Sequence, residues 1–174
     1  MLVKPGDFGL SIIEGRVGAL VNIGQAIIRD SSEFTHAFIV ISETQVLEAM
    51  PGGARIAPLS SYSDRRVLMS DIPLTDENRR AIVNVARALE GTPYSFLDYF
   101  YLALKHYGIN IPWLRNHIKN KGHMICSQLV DFCYQAAGVH LFNDGRLSQD
   151  VSPGSLARAL YANNWDKLYD PKGI

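Results

Sequence analysis

The stretch FTHAFIVISETQVLEAM, residues 34–50, decides the fold. Its first part, 34–41, is apolar and β-branched enough for a buried strand, and 45–50 reads as a second strand. Ser42-Glu43-Thr44 between them is turn chemistry, so the two halves form a hairpin. With Ile41 opposite Gln45, Glu48 faces Phe38, on the side that carries His36 and diagonal to it. Diagonal Cβ atoms lie roughly 7 Å apart, within reach for two polar side chains. A register slip of one residue would send them to opposite faces. Both groups stand among apolar neighbours, where each needs a partner to be tolerated.

Working outward, Lys4-Pro5-Gly6-Asp7 is a turn leading into a strand over 8–13. Apolar residues at 17, 20, 21, 27 and 28 have helical spacing, to about residue 29. Pro51-Gly52-Gly53 breaks the second hairpin strand, and further strands are expected over 54–58 and 66–71. Thr75 is an N-cap with Asn78 three residues on, opening a helix whose apolar side is Ile82, Val83, Val85, Ala86 and Leu89. Gly91-Thr92-Pro93 stops it. An aromatic, helical segment over 94–107 and an irregular excursion over 108–122 come next. A helix over 126–137 ends at Gly138, and Ser152-Pro153 opens a last short helix. No repeat, low-complexity tract or linker divides the chain, so one domain over 1–174 is expected. The pattern implies an α+β fold, an antiparallel sheet packed against helices.

With 47% hydrophobic and 20% charged residues, the chain reads as an ordinary globular protein rather than a disordered one. Seventeen acidic and seventeen basic side chains cancel, which gives no case for nucleic-acid binding. Charge is uneven, however: 99–130 contains no Asp or Glu, but holds Lys105, Arg115, Lys119 and Lys121. The two cysteines, Cys126 and Cys133, are two helical turns apart, about 10 Å and too far for a disulfide. A reduced compartment follows. The first residues lack signal-peptide character and no apolar run reaches a membrane span, so the expected location is the cytoplasm, or a virion or host cytoplasm if the chain is phage-encoded.

Chemistry concentrates in GHMICSQLVDFCYQAAG, residues 122–138. Cys126 stands at the start of the helix, where the macrodipole and free N–H groups favour a thiolate. Cys133, in the helix body beside Phe132 and Tyr134, reads as a buried filler. A thiol, an imidazole able to take its proton and a carboxylate able to orient the imidazole make up a nucleophilic site. Taken singly, a strand His or Glu is more often structural; the set of His36, Glu48 and Cys126 carries the argument. The base precedes the nucleophile, the reverse of papain. His123 and Cys126 have metal-ligand spacing, but no second Cys/His pair completes a tetrahedral set, so neither metal nor cofactor is expected. His106, His117 and His140 read as surface residues.

PGDFGLS (5–11), THAFIV (35–40), VLEA (46–49), GTPYSF (91–96), ICSQLV (125–130) and SPGSLA (152–157) occur in an order that resembles the permuted branch of the NlpC-type papain-like hydrolases, the YiiX-like proteins among them. The resemblance spans nearly the whole chain. It implies a circularly permuted papain-like α+β fold in which the sheet bearing the histidine precedes the helix bearing the cysteine. It also implies Cys126 as nucleophile, His36 as base, Glu48 as the orienting member and Tyr94 near the substrate pocket. Ser95 stands where such proteins carry an acidic residue. The backbone N–H of Cys126 would be an oxyanion donor.

The implied activity is attack on an amide, ester or thioester carbonyl through an acyl-enzyme, ending in hydrolysis or acyl transfer. Relatives divide between peptides, cell-wall peptides included, and acyl chains on lipids. The 94–123 segment, with Tyr99, Phe100, Tyr101, Ile111, Trp113 and its basic residues, would give the cleft an apolar, electropositive wall, with Trp113 against the substrate and peripheral membrane contact through 99–123. Alternatively, these aromatics pack the core. A non-catalytic binding or inhibitory module that retains the fold is the competing class; a broken triad would mark it, and this chain keeps all three members. The absence of a wall-binding repeat counts against a free-standing secreted peptidoglycan hydrolase.

Overall fold

A computed structural model describes residues 3–12, 32–50, 53–91, 125–148 and 151–169. The elements in chain order are β1 (Phe8–Ser11), β2 (His36–Val40), β3 (Gln45–Met50), β4 (Gly53–Pro58), a 3-10 turn (Leu59–Tyr62), β5 (Val67–Ser70), α1 (Asp76–Ala88), α2 (Ile125–Ala136), α3 (Pro153–Asn163) and β6 (Asp166–Leu168). The six strands form one sheet in the order β4-β3-β2-β1-β5-β6, every neighbouring pair antiparallel. With three helices among the described residues, the fold is α+β, as composition and periodicity imply.

The hairpin closes as its sequence dictates. Ile41 N–H and Ser42 N–H both donate to the Gln45 carbonyl, and the Ser42 hydroxyl accepts from Thr44 N–H. That turn fixes Phe38↔Glu48, Ile39↔Leu47 and Val40↔Val46. Strand alternation then sorts side chains onto two faces. Leu10, Ala37, Ile39 and Leu47 pack with Ile82 and Ala86 of α1 and with Leu129, Val130 and Cys133 of α2. Phe38, Val40, Val46, Val67 and Met69 form a second core, closed by Leu59 and Tyr62 of the 3-10 turn. Gly9, paired with Phe38, makes that second core possible: a Cβ there would stand 2.2 Å from Cζ of the Phe38 ring.

Caps bound the helices. The Thr75 hydroxyl accepts from Asn78 N–H at 3.1 Å, with Asp76 and Glu77 in the first turn and Arg87 in the last, the charge order that the helix dipole favours. Ser152 and Ser155 form a reciprocal capping box with Pro153 in the first turn of α3. Gly138 follows α2 with φ +75°, the left-handed conformation that ends helices. The helix is anchored at its far end by the Tyr134 hydroxyl, which donates to the Gly6 carbonyl at 2.6 Å, and near its start by Ser127, whose hydroxyl donates to the Val151 carbonyl at 2.6 Å.

One strand end and two elements stand out against the sequence reading. β1 ends at Ser11 rather than at 13, because its partners His36 and Val67 are the terminal residues of their strands. The 3-10 turn and β6 were not expected from local pattern. β6 is only three residues, and its central Lys167 is buried against Asp7 (3.1 Å) and Asp71 (3.0 Å), so ion pairing rather than apolar alternation holds it. The helix expected to about residue 29, the 94–107 segment and the 108–122 excursion lie outside the described residues. Among the described residues no helix is long and apolar enough to cross a membrane.

Candidate active site

β2 begins with His36, β3 carries Glu48 as its fourth residue, and the 3-10 turn ends in Tyr62. The register Phe38↔Glu48 puts the carboxylate on the imidazole's side of the sheet, and Glu48 Oε2 lies 3.0 Å from His36 Nε2. His36 is 2% exposed and Glu48 4%. The carboxylate is tied at both oxygens. Arg55, directly opposite on β4, donates to Oε1 through Nε at 2.9 Å and Nη2 at 2.7 Å, while the Tyr62 hydroxyl donates to Oε2 at 2.5 Å. Tyr62 also lies 3.1 Å from His36 Nε2, its ring parallel to the imidazole at 6.2 Å and against Phe38 at 4.2 Å.

Cys126 is the second residue of α2 and 8% exposed. Its thiol shares a hydrogen bond with the His36 ring, and the amides of Ala37 and Ser127 donate to it. The strand ladder between β2 and β3 stops at Phe38↔Glu48, one residue short of Ala37. The sheet end and the helix start thus converge on one sulfur.

The electrostatics follow from this packing. Burial alone would push the His36 imidazole down, but hydrogen bonds to Cys126 and Glu48 and their charges raise it to about 9. Burial alone would raise Glu48; hydrogen bonds from His36, Tyr62 and Arg55 hold it at about 2. Burial also opposes ionisation of Cys126, yet its hydrogen bond and charge interaction with His36, with the two amides, bring the thiol below its ordinary range. Cys133 has no such help, and burial pushes its thiol up. The two thiols are therefore shifted in opposite directions, Cys126 down and Cys133 up.

The structure brings His36, Glu48 and Cys126 together. Tyr94 and Trp113 lie outside the described residues. Sequence reasoning missed Arg55 and Tyr62. Arg55 was legible in principle, since extending the hairpin register across Pro51-Gly52 sets it opposite Glu48. Tyr62 carries no local signal: it arrives because the chain turns back over the sheet face after β4.

No family model matches the chain, and no curated protein matches it. Among solved structures, the crystal structure of the metalloprotein YiiX from Escherichia coli O157:H7 superposes with a TM-score of 0.56 and 17% sequence identity, covering 100% of this chain and 92% of that one. At that identity the likeness is one of fold, and the chain has a YiiX-like fold.

Proposed function

We propose that this protein is a cysteine-nucleophile hydrolase or acyltransferase of the permuted papain-like, NlpC-type kind, in which Cys126 attacks an amide, ester or thioester carbonyl. One observation carries the reading: a buried hydrogen-bonded line runs from Cys126 through His36 to Glu48, with the thiol lowered and the imidazole raised. Both shifts favour the same proton transfer. Both arise from the contact between the Cys126 thiol and the His36 ring, with Glu48 and the Ala37 and Ser127 amides adding to them.

In the reaction, the Cys126 S–H bond breaks as the imidazole takes the proton. The thiolate forms a C–S bond to the carbonyl carbon, and the carbonyl oxygen takes up the negative charge. The backbone N–H of Cys126, in the first turn of α2, would serve as the donor to that charge. Collapse of the tetrahedral adduct breaks the bond to the leaving group, which takes its proton from the His36 imidazolium. Water, or another nucleophile, then adds to the thioester with His36 as base, releasing product and thiol. Glu48 keeps its charge throughout and stabilises the imidazolium.

YiiX is described as a metalloprotein. The described residues here do not fit a metal: no cluster of three or more His, Cys, Asp or Glu side chains is arranged to hold one, and Arg55, Tyr62 and His36 already occupy the Glu48 oxygens.

For substrate, the reading favours a peptide or an acyl-lipid carbonyl, with Tyr94 and Trp113 from the apolar, basic 94–123 segment beside it. Replacing Trp113 by Gln is expected to reduce turnover of acyl esters; unchanged turnover removes the segment from the substrate site. The decisive experiment on the chemistry is iodoacetamide labelling from about pH 4 to 9, read by intact mass, for wild type, His36→Ala and Cys126→Ala. A single fast adduct at Cys126 that persists well below a free thiol's ~8.5 and slows without His36 supports the enzyme. Labelling at the rate of a free thiol overturns it and leaves a binding module with this fold.

A further inference from the structure

Three polar atoms meet in a closed triangle at the centre of the site. His36 Nε2 is 3.0 Å from Glu48 Oε2 and 3.1 Å from the Tyr62 hydroxyl, and that hydroxyl is 2.5 Å from the same Oε2. Two hydrogens must be placed among them. An ionised carboxylate oxygen only accepts, so the Tyr62 O–H points at Oε2. Nε2 must then carry a hydrogen, shared between the carboxylate and the phenol oxygen. With the hydrogen on the other ring nitrogen, a lone pair on Nε2 would face the carboxylate, and the single Tyr62 hydrogen could satisfy only one of its two neighbours. The triangle therefore selects the Nε2–H form of neutral His36. Nδ1 is left as the basic nitrogen for the ring's remaining side-chain partner, Cys126.

We propose that Tyr62 is a positioning residue of this site, whose hydroxyl, as second acceptor for Nε2–H and donor to Glu48, fixes the tautomer and the tilt of His36 so that Nδ1 faces Cys126. The inference rests on the reading of Cys126 and His36 as a nucleophile–base pair. Tyr62 itself moves no proton: on activation S–H breaks and Nδ1–H forms, while Nε2–H and the phenol O–H stay in place. Arg55 cannot substitute for it, because Arg55 binds the other carboxylate oxygen and its side chain is 61% exposed. The Tyr62 hydroxyl, by contrast, is delivered by packing. Its buried ring lies on Phe38, and Phe38 fills the space that Gly9 leaves open.

The test is Tyr62→Phe, which keeps the ring and removes the oxygen. Two readouts are needed. The first is the His36 Nε2–H resonance in protein labelled with nitrogen-15 histidine, recorded in a Cys126→Ala background so that it does not depend on thiol reactivity. The second is iodoacetamide labelling of Cys126 in the chain that retains it. The expected result is an Nε2–H that exchanges with solvent roughly tenfold faster or more in Tyr62→Phe, as a buried N–H losing an acceptor should. Cys126 labelling at neutral pH should fall about tenfold, as expected for a base that is misaligned rather than lost. Phe38→Leu, which leaves the hydroxyl but loosens its seat, should move both readouts the same way by less, and it carries the test if Tyr62→Phe does not fold. An Nε2–H signal and a labelling profile that superpose on the parent's overturn the role and leave Tyr62 a packing residue. Fast labelling in wild type with no Tyr62 effect overturns this inference alone. Slow, free-thiol labelling in wild type overturns the hydrolase reading and with it the positioning role, and an Nε2–H effect then reports only the Tyr62–His36 hydrogen bond.

Discussion

Phe38 on β2 lies directly opposite Glu48 on β3, and this pairing puts the Glu48 carboxylate 3.0 Å from the ring of His36, two residues before Phe38. A site of this kind depends on strand register before it depends on any single hydrogen bond. A one-residue slip would carry Glu48 to the helix-covered face, among Ala37 and Ile39, turn Leu47 out of it, and leave His36 without its carboxylate.

Glu48→Gln keeps the shape of the side chain and removes its charge. The imidazolium then loses its neighbouring anion in a buried setting. Turnover of a reactive acyl ester is expected to fall about a hundredfold, within the range for misdirecting a general base. Steady-state kinetics on the purified variant check this, with Cys126 labelling expected to slow in parallel.

The same variant tests acid stability. Glu48 is held at about 2 in the folded protein against an ordinary 4.5, so the folded state binds its proton more weakly than the unfolded chain. Its contribution is complete above the unfolded value and disappears as pH falls through about 2. The difference in Tm between wild type and Glu48→Gln should therefore be widest near neutrality and should close on acidification below 4.5. A gap that stays constant down to acid would show that the charge does not stabilise the fold.

His36 is raised to about 9, and leaving-group protonation needs its imidazolium. Turnover should decline as pH passes about 9, while alkylation of Cys126, which needs only the thiolate, should not. Parallel pH profiles of the two rates on one preparation separate these limbs.

Gly9→Ala is expected to act on the site from a distance. The new methyl would meet the Phe38 ring at 2.2 Å and the Met69 sulfur at 2.8 Å, both inside the second core. Overpacking of this kind costs about 1–3 kcal/mol. Denaturant unfolding should register that loss, and Cys126 labelling should slow because Tyr62 rests on Phe38.

Asp7 is fully buried and binds both Arg79 (2.8 Å) and Lys167 (3.1 Å), joining the start of β1 to α1 and β6. Asp7→Ala leaves Lys167 buried with only the half-exposed Asp71 as partner. Breaking a buried pair from one side costs about 3–5 kcal/mol, and unfolding of the variant should show a loss of that order. Labelling at Cys126 should persist in whatever fraction remains folded, since none of these charges touches the thiol.

Local chemistry accounts for much of the fold. The hairpin over 34–50, the Thr75 cap of α1, the start of α2 to within one residue and the Ser152-Pro153 opening of α3 were all legible, because each rests on neighbours within a few residues. The pairing of His36 with Glu48 was legible too, since turn length sets the register of a two-stranded hairpin. What only the tertiary structure decided lies at longer range. β6 exists because Lys167 meets Asp7 across 160 positions of chain. The three groups around Glu48 come from His36, Arg55 and Tyr62 on separate elements, and Tyr62 reaches the site only when the 3-10 turn closes the second core. Periodicity and capping determine which elements form, because they are decided by near neighbours. Which side chains meet between elements is decided by packing, and a phenol is placed beside an imidazole only when the sheet, the turn and the gap at Gly9 exist together.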